Sequence, residues 1–221
     1  EENEKPMGVE DAAGLAGMSE AEIAAAREAA ESRDLPGQYV LPLLNTSGQP
    51  ALASLEDRAL RQRIHETSLG RGSSGGEFDN REVLTRVARL RAERAALLGY
   101  PNHAAYSLEN QTARTVDAVN ERLASLAPAA VANARKEAAE LQAMIDASGE
   151  KFELASWDWA YYTEKLRQQK YDFDESQLKP YFELDNVLVN GVFFAAEQVY
   201  GLTFRQRPDL PTYHEDVRVW E

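Results

Sequence analysis

The residues best suited to metal chemistry are the three histidines, His65, His103 and His214. His65 and His214 are each followed by glutamate, the start of the H-E-x-x-H pattern that places two imidazoles one helical turn apart on a zinc ion. The second imidazole is missing in both cases, because Leu69 and Arg218 stand where it is needed. We therefore assign no metal-binding residue and no catalytic residue to this chain, and its substrate-binding residues are unknown.

A serine nucleophile is the next possibility, and it needs a histidine that the fold brings to the serine. His65 and His103 lie in helical surroundings of mixed polarity without a nucleophile-elbow pattern. We expect both to be surface histidines or satisfied core histidines. His214 follows Pro211 in a loop and is the least ordinary of the three, but the same expectation holds for it.

Two carboxylate pairs could carry acid–base chemistry, Asp172 with Asp174 and Glu215 with Asp216. Acidic residues are also common at helix N-termini, where they accept backbone hydrogen bonds and complement the helix dipole. We expect this structural role to apply, with Asp174 as a helix cap.

Residues 70–76 hold four glycines in seven positions. A phosphate-binding loop would end in Lys-Ser or Lys-Thr and would follow a strand, and this segment does neither. We interpret it as a linker.

Aromatic residues are dense between positions 157 and 200. They would either line a groove that grips peptide side chains or pack helices together, and we expect most of them to lie in the core. The set comprises Trp157, Trp159, Tyr161, Tyr162, Tyr171, Phe173, Tyr181, Phe182, Phe193, Phe194 and Tyr200.

The composition excludes several classes of function. A net charge of −13 argues against nucleic acid and against an anionic membrane surface as partners. The absence of cysteine removes disulfides, Cys-ligated zinc and thiol nucleophiles, and it fits a reducing compartment such as the cytoplasm. The sequence has no apolar run long enough for a transmembrane helix and no signal peptide at its start, where the initiator Met is also missing. We expect both ends of the chain to be cuts.

The periodicity of apolar residues predicts a mainly α protein with a few short strands. Helices are expected over 20–33 behind a Ser19–Glu22 capping box, and over 50–69, 79–97, 102–110, 115–149, 157–171, 174 onward and 185–200. The helix over 115–149 contains Pro128, where we expect a bend, and Ser156 is expected to cap the helix over 157–171. Strands are expected over 38–44, 202–205 and 217–220.

The chain is predicted to divide into three parts. A loosely ordered start covers 1–18. A helix, a short strand, a second helix and the Gly-rich loop cover 19–76. A helical segment that ends in strands covers 77–221.

Several stretches, taken in order, make the sequence recognisable. It resembles the thimet oligopeptidase family of zinc metallopeptidases, and within that family the bacterial peptidyl-dipeptidases. The resemblance covers roughly residues 12–221, and the stretches that carry it are YVLPLLNT at 39–46, QPALASL at 49–55, LLGYP at 97–101, WDWAYY at 157–162, LKPYFELDNVL at 178–188, GVFF at 191–194, YGLTF at 200–204 and YHEDVRVWE at 213–221.

The resemblance implies a two-lobed, mainly helical zincin-type peptidase in the cytoplasm with a deep channel for short peptides. Zinc would activate water, and the peptidyl-dipeptidase branch would release C-terminal dipeptides. Family members are about three times longer, and their H-E-x-x-H region would follow residue 221. The resemblance therefore makes this chain a non-catalytic internal segment that forms channel wall. It would be inactive alone, would bind no zinc itself, and would have the remainder of its own polypeptide as its partner.

Two alternatives stay open at this point. Within the family, the protein could cleave peptides internally as an oligopeptidase. Outside it, the chain could be a standalone helical binding or scaffold module that has lost the active site. An exposed apolar patch of several hundred Å² would favour the segment, and a fully polar surface would favour the module.

Overall fold

Amphipathic stretches of the chain form helices, as the periodicity predicts. The structure, a computed structural model, describes residues 7–44, 48–171 and 175–221. Within these residues it is mainly α, with one two-stranded sheet, which confirms the predicted fold class. The chain divides into two units, Glu1–Gln169 (unit 1) and Lys170–Glu221 (unit 2). The predicted division near residues 18 and 76 stays a prediction.

Unit 1 opens with a small antiparallel sheet. Strand β1, Met7–Val9, pairs with strand β2, Tyr39–Leu41. A single 3₁₀ turn, Ala12–Leu15, and helix α1, Glu20–Glu31, connect them. The capping box before α1 is confirmed, because Ser19 and Glu22 exchange side chain–backbone hydrogen bonds.

The described part of residues 1–18 contains a strand and a 3₁₀ turn that the sequence analysis does not predict, and the loosely ordered start stays a prediction. Its strand and 3₁₀ turn are three and four residues long, too short to show a hydrophobic period. Met7 and Leu15 are nevertheless buried, and this burial fixes the segment. Residues 1–6 lie outside the described residues.

Helix α2, Arg58–Leu69, supplies one wall of the main core. It begins later than predicted, because Pro50–Ala53 forms a separate 3₁₀ turn and Asp57 caps α2 by accepting from the backbone N–H groups of Ala59 and Leu60. Residues 45–47 of the turn predicted before it lie outside the described residues. The core consists of buried apolar side chains from β1, β2, α1, α2 and their connections: Met7, Leu15, Ala26, Leu41, Leu43, Leu52, Leu55, Leu60 and Ile64.

Three further helices follow, α3 over Arg81–Leu97, α4 over His103–Leu108 and α5 over Val116–Ala147. All three agree with the sequence prediction, and Pro128 lies inside α5. The apolar positions of α3 and of the first half of α5 are exposed, although their spacing is that of a buried face. They are Val83, Leu84, Leu90, Leu97, Leu123, Leu126 and Val131.

The C-terminal end of α5 packs against helix α6, Trp159–Tyr171. Leu141, Ile145 and Tyr162 form a second buried cluster there. The expectation that Ser156 caps this helix is wrong. The turn before Trp159 is held instead by Asp158, whose carboxylate accepts from the backbone N–H of Ala155 at 3.1 Å.

Unit 2 is described from Lys170, with residues 172–174 lying outside the described residues, so the predicted cap at Asp174 is not described. A 3₁₀ helix covers Glu175–Phe182. The helix predicted over 185–200 is divided into a π-helix, Asn186–Phe193, and helix α7, Phe194–Tyr200. Gly201 ends α7 with a φ of 68°, as a C-terminal glycine should.

The two strands predicted at the end of unit 2 do not form a regular sheet in the described residues. The described residues there show one isolated antiparallel bridge, between Gln206 and Trp220. Backbone hydrogen bonds between Arg205 and Glu221 and from Arg207 to Val219 continue this pairing over a few residues. Among the described helices of the chain, none combines the length and the apolar composition that crossing a membrane requires.

Candidate functional site

The most concentrated polar chemistry in unit 1 is a buried ion cluster of Arg58, Arg61 and Asp158. Both arginines lie on the first turn of α2, three residues apart and therefore on one face of the helix. Arg58 donates from Nε at 3.1 Å and from a terminal nitrogen at 2.9 Å to the Asp158 carboxylate. Arg61 donates to the other side of the same carboxylate at 2.9 Å. Asp158 thus ties the turn before α6 to α2.

Burial makes this cluster unusual. Asp158 is 0% exposed and Arg61 is 1% exposed. Burial alone would raise the pKa of Asp158, but the hydrogen bonds from Arg58, Arg61 and the Ala155 N–H outweigh it and lower the pKa below its usual value. The carboxylate is therefore ionised at neutral pH and neutralises one of the two guanidinium charges that it contacts.

The second guanidinium nitrogen of Arg61 fixes the connection that precedes α2. It donates to the backbone carbonyls of Leu55 at 2.8 Å and Glu56 at 3.0 Å. Aromatic rings cover both arginines, with Arg61 Cζ 4.2 Å from the centre of the Tyr161 ring and Arg58 Cζ 4.0 Å from that of Phe152. These distances are typical of cation–π contacts.

An open cavity of about 590 Å³ adjoins the cluster, within the range that small ligands occupy. Its walls combine charged groups, aromatic rings and one thioether, all of them in unit 1. The lining residues are Glu56, Arg58, Arg61, Met144, Ser148, Glu150, Phe152, Tyr161, Tyr162, Lys165 and Gln169.

The sequence prediction missed this site. The sequence analysis assigns no role to Arg58 or Arg61, and Asp158 is separated from them by about a hundred residues. The WDWAYY stretch at 157–162 carries part of the family resemblance and of the aromatic set, but neither assigns a role to its carboxylate. A carboxylate between two tryptophans, ahead of a helix that begins with aromatic residues, is the local signal that could have marked Asp158 as buried and paired.

His65 does meet a serine in the folded chain. Its Nε2 lies 2.9 Å from the Ser156 hydroxyl, on the surface of unit 1. Its ring is 6.2 Å from that of Trp157. The near-miss zinc motif at His65 lies on α2, and the fourth residue after it, Leu69, is an exposed side chain that cannot bind metal.

The other two histidines make local contacts. His103 begins α4, and its ring nitrogens lie 3.3 and 3.4 Å from the hydroxyl of Ser107 one turn later. His214 is in a turn, not a helix, and its Nδ1 accepts from the backbone N–H of Asp216 at 3.2 Å. Of the two carboxylate pairs, Asp172 and Asp174 lie outside the described residues. Glu215 and Asp216 are exposed in the turn of His214.

The Gly-rich stretch forms a turn. Asn80 and Gly72 are joined by a 2.8 Å backbone hydrogen bond, and Asp79 accepts from the backbone N–H of Gly75 at 2.9 Å. The Asp79 carboxylate at this loop would repel phosphate. This agrees with the interpretation of residues 70–76 as a linker between α2 and α3.

The aromatic residues divide between the two units, and the expectation that most are core holds only in part. Tyr162 is buried and Trp157, Trp159 and Tyr161 are half-buried in unit 1. The described aromatics of unit 2 are exposed apart from half-buried Phe193, Phe204 and Trp220, and Phe173 lies outside the described residues.

Phe193 joins a small aromatic cluster inside unit 2. Its ring stacks on that of Phe204 with centres 4.1 Å apart, and its edge meets Trp220 at 4.9 Å. An open apolar cavity of about 550 Å³ lies beside this stack.

The described residues do not fit a metal ion. They contain no group of three or more His, Asp or Glu side chains placed to hold one, and the sequence has no Cys. A zinc site needs three or four such ligands around one point.

Comparison with known proteins agrees with the resemblance read from the sequence. Residues 51–221, more than half of the chain, match peptidase family M3. The chain is 46% identical over 213 residues to a dipeptidyl carboxypeptidase of Escherichia coli (strain K12), a match that covers 96% of this chain and 31% of that protein.

Two further relatives give the same picture. A dipeptidyl carboxypeptidase of Salmonella typhimurium is 43% identical over 215 residues, covering 97% of this chain and 32% of that protein. Oligopeptidase A of Escherichia coli is 38% identical over 217 residues, covering 96% and 32%. The chain thus spans about a third of the length of the curated relatives it matches.

Proposed function

The chain belongs to peptidase family M3, and we propose that it is a non-catalytic segment of a cytoplasmic peptidyl-dipeptidase, which hydrolyses short peptides and releases their C-terminal dipeptides. The observation that carries the proposal is the higher identity to two dipeptidyl carboxypeptidases, 46% and 43%, than to oligopeptidase A, 38%. The endo-acting alternative is the weaker for the same reason.

In this proposal the zinc of such an enzyme is held by residues outside this chain. The described residues offer no ligand set, which is compatible with that. When bound, zinc supplies a water activated for attack on the peptide bond. We assign no step of hydrolysis to residues of this segment. Its contribution is structural, in the walls that admit a short peptide, and the isolated chain is expected to be inactive.

The exposed apolar faces support a segment over a standalone module. Leu84 and Leu97 on α3 and Tyr200 and Phe182 in unit 2 expose most of their surface. A finished binding module would cover such side chains, whereas a segment leaves them for the rest of its own polypeptide.

The test is an assay of the source protein expressed at the length of its relatives. Short peptides with a free C-terminal carboxylate are incubated with the zinc-loaded protein, and the products are identified by mass spectrometry. Release of C-terminal dipeptides is expected, with little cleavage of the same peptides as C-terminal amides. Equal internal cleavage of acid and amide would favour the oligopeptidase, and no cleavage of either would favour the scaffold module.

Metal content provides a second check on the same protein. His65→Ala and His214→Ala should each retain stoichiometric zinc, since neither histidine is assigned to the metal. Loss of zinc from either variant would show that these residues bind it.

A further inference from the structure

We propose that the cavity beside the Arg58–Arg61–Asp158 cluster is a subsite for the terminal carboxylate of a short peptide, with Lys165 and Tyr161 as its contacting groups. This inference rests on the proposed peptidase function and assigns part of its specificity to this chain.

The positively charged side of the cavity is built around one ring. Arg61 Cζ lies 4.2 Å and Lys165 Nζ 4.7 Å from the centre of the Tyr161 ring. Within the described residues Lys165 has no ion-pair partner, and the Tyr161 hydroxyl makes no hydrogen bond. An ammonium and a hydroxyl thus stand at the cavity with donors to spare, which is what an incoming carboxylate requires.

Arg61 makes this side rigid. It is 1% exposed and held by Asp158 and by the backbone carbonyls of Leu55 and Glu56. Its Nε has no hydrogen-bond partner among the described residues. Asp158 neutralises only one of the two arginine charges it contacts, so one guanidinium charge remains beside Lys165 at this side of the cavity.

Two glutamates define what else the ligand must carry. Glu56 and Glu150 also line the cavity, so a polyanion such as phosphate would be repelled. The C-terminal end of a peptide combines one negative charge with backbone N–H groups, which can donate hydrogen bonds to a glutamate carboxylate. The apolar walls, Met144 and Phe152, suit the side chains of such a ligand.

The proposed reaction requires a site of this kind. An enzyme that measures two residues from the C-terminus discriminates a free carboxylate from a continuing chain, and a site built for a charge rejects the analogue that lacks it. The cavity is a charged concave surface of unit 1 that joins unpaired donors to apolar walls.

Binding to the 221-residue chain tests the subsite directly. The probes are an N-acetylated dipeptide with a free carboxylate, its C-terminal amide and inorganic phosphate, followed by chemical-shift changes on titration. We expect the acid to bind at millimolar concentration or tighter and to perturb Lys165 and Tyr161, with the amide and phosphate at least about fivefold weaker.

Two variants locate the contact. Lys165→Met should weaken binding of the acid by about tenfold, and Tyr161→Phe by less, because the ring that holds Lys165 remains. Lys136→Met, on the exposed face of α5, is the matched control and should bind as the unmodified chain does. Equal affinity for acid and amide, or unchanged affinity in Lys165→Met, overturns the subsite.

The longer polypeptide separates this inference from the proposed function. There, Lys165→Met should raise KM for free-acid peptides about tenfold with kcat nearly unchanged, and should reduce the preference for acid over amide. If dipeptides are released but Lys165→Met keeps that preference, the subsite is wrong and the function stands. If no dipeptide is released although the 221-residue chain binds the acid through Lys165, the function is wrong and the binding site stands.

Discussion

Unit 1 and unit 2 differ in what they bury. Unit 1 has two clusters of buried apolar side chains and an ion cluster whose carboxylate is fully enclosed. Among the described residues of unit 2, no side chain reaches the same degree of burial. Its internal contacts are an aromatic stack around Phe193 and exposed ion pairs such as Arg207 with Asp209 at 2.7 Å.

The difference shows that apolar composition does not by itself make a core. Unit 2 contains the chain's most apolar helical stretch, yet its length is near the limit below which a chain buries too little surface to be stable alone. Many of the large apolar side chains of unit 2 are exposed, as they are on a surface that another part of a protein covers. Unit 1 encloses its polar cluster, whereas unit 2 leaves apolar side chains exposed. Under the proposed function, other parts of a longer protein would cover this surface.

The largest test of this comparison removes the enclosed carboxylate. Asp158→Ala leaves Arg61 charged and buried without its partner, which should lower the free energy of unfolding by about 3–5 kcal/mol. Denaturant unfolding followed by circular dichroism measures the change. The matched variant in unit 2 is Asp209→Ala, which removes an exposed partner of Arg207 and should cost far less than Asp158→Ala. Similar costs for the two would contradict the difference in enclosure.

The pH dependence of stability sharpens the same contrast. The pKa of Asp158 is lowered in the folded chain, because the hydrogen bonds from the arginines outweigh burial. Ionised Asp158 therefore stabilises the fold fully at any pH above the pKa that this side chain has in the unfolded chain. The stabilisation is lost as the pH falls through the lower pKa that Asp158 has in the folded chain. Unfolding midpoints measured downward from pH 5 should show a steep loss that is flatter in Asp158→Asn.

Salt provides the control for that experiment. The hydrogen bond from Arg207 also lowers the pKa of Asp209, but Asp209 is exposed and Arg207 is only half-buried. Raising the salt concentration should reduce the pH effect of Asp209 and leave that of Asp158 nearly unchanged, because enclosed charges are poorly screened. An Asp158 effect that salt abolishes would place that carboxylate in solvent.

Much of the secondary structure was predictable because it depends on local sequence patterns. The Ser19–Glu22 box, the helix from Val116 and the glycine that ends α7 each depend on residues within a few positions of one another. The π-helix over Asn186–Phe193 was not predictable, since apolar residues on nearly every side fit an α-helix and a π-helix equally well. The start of β1 was missed because three residues carry no period.

The candidate site was harder to predict than the fold. The pairing of Asp158 with Arg58 and Arg61 joins residues about a hundred positions apart, and no local rule links them. The approach of Ser156 to His65 depends on the same docking of α2 against the turn before α6. The apolar stripe of α3 illustrates the opposite error, because its spacing predicts a buried face that the described residues leave exposed.

The smallest expected effect is the most informative about unit 2. Phe182 and Tyr200 are 70% and 76% exposed, so replacing both with serine should change the unfolding free energy of the 221-residue chain by about 0.5 kcal/mol or less. Binding of a hydrophobic dye should fall, and the buried-core control Leu55→Ala should cost about 2–5 kcal/mol.

In the longer polypeptide the same double variant should become markedly destabilising, because side chains that are exposed here would be covered there. A large cost already in the 221-residue chain would mean that unit 2 has a core of its own, and no cost in either protein would mean that this surface has no partner within the polypeptide.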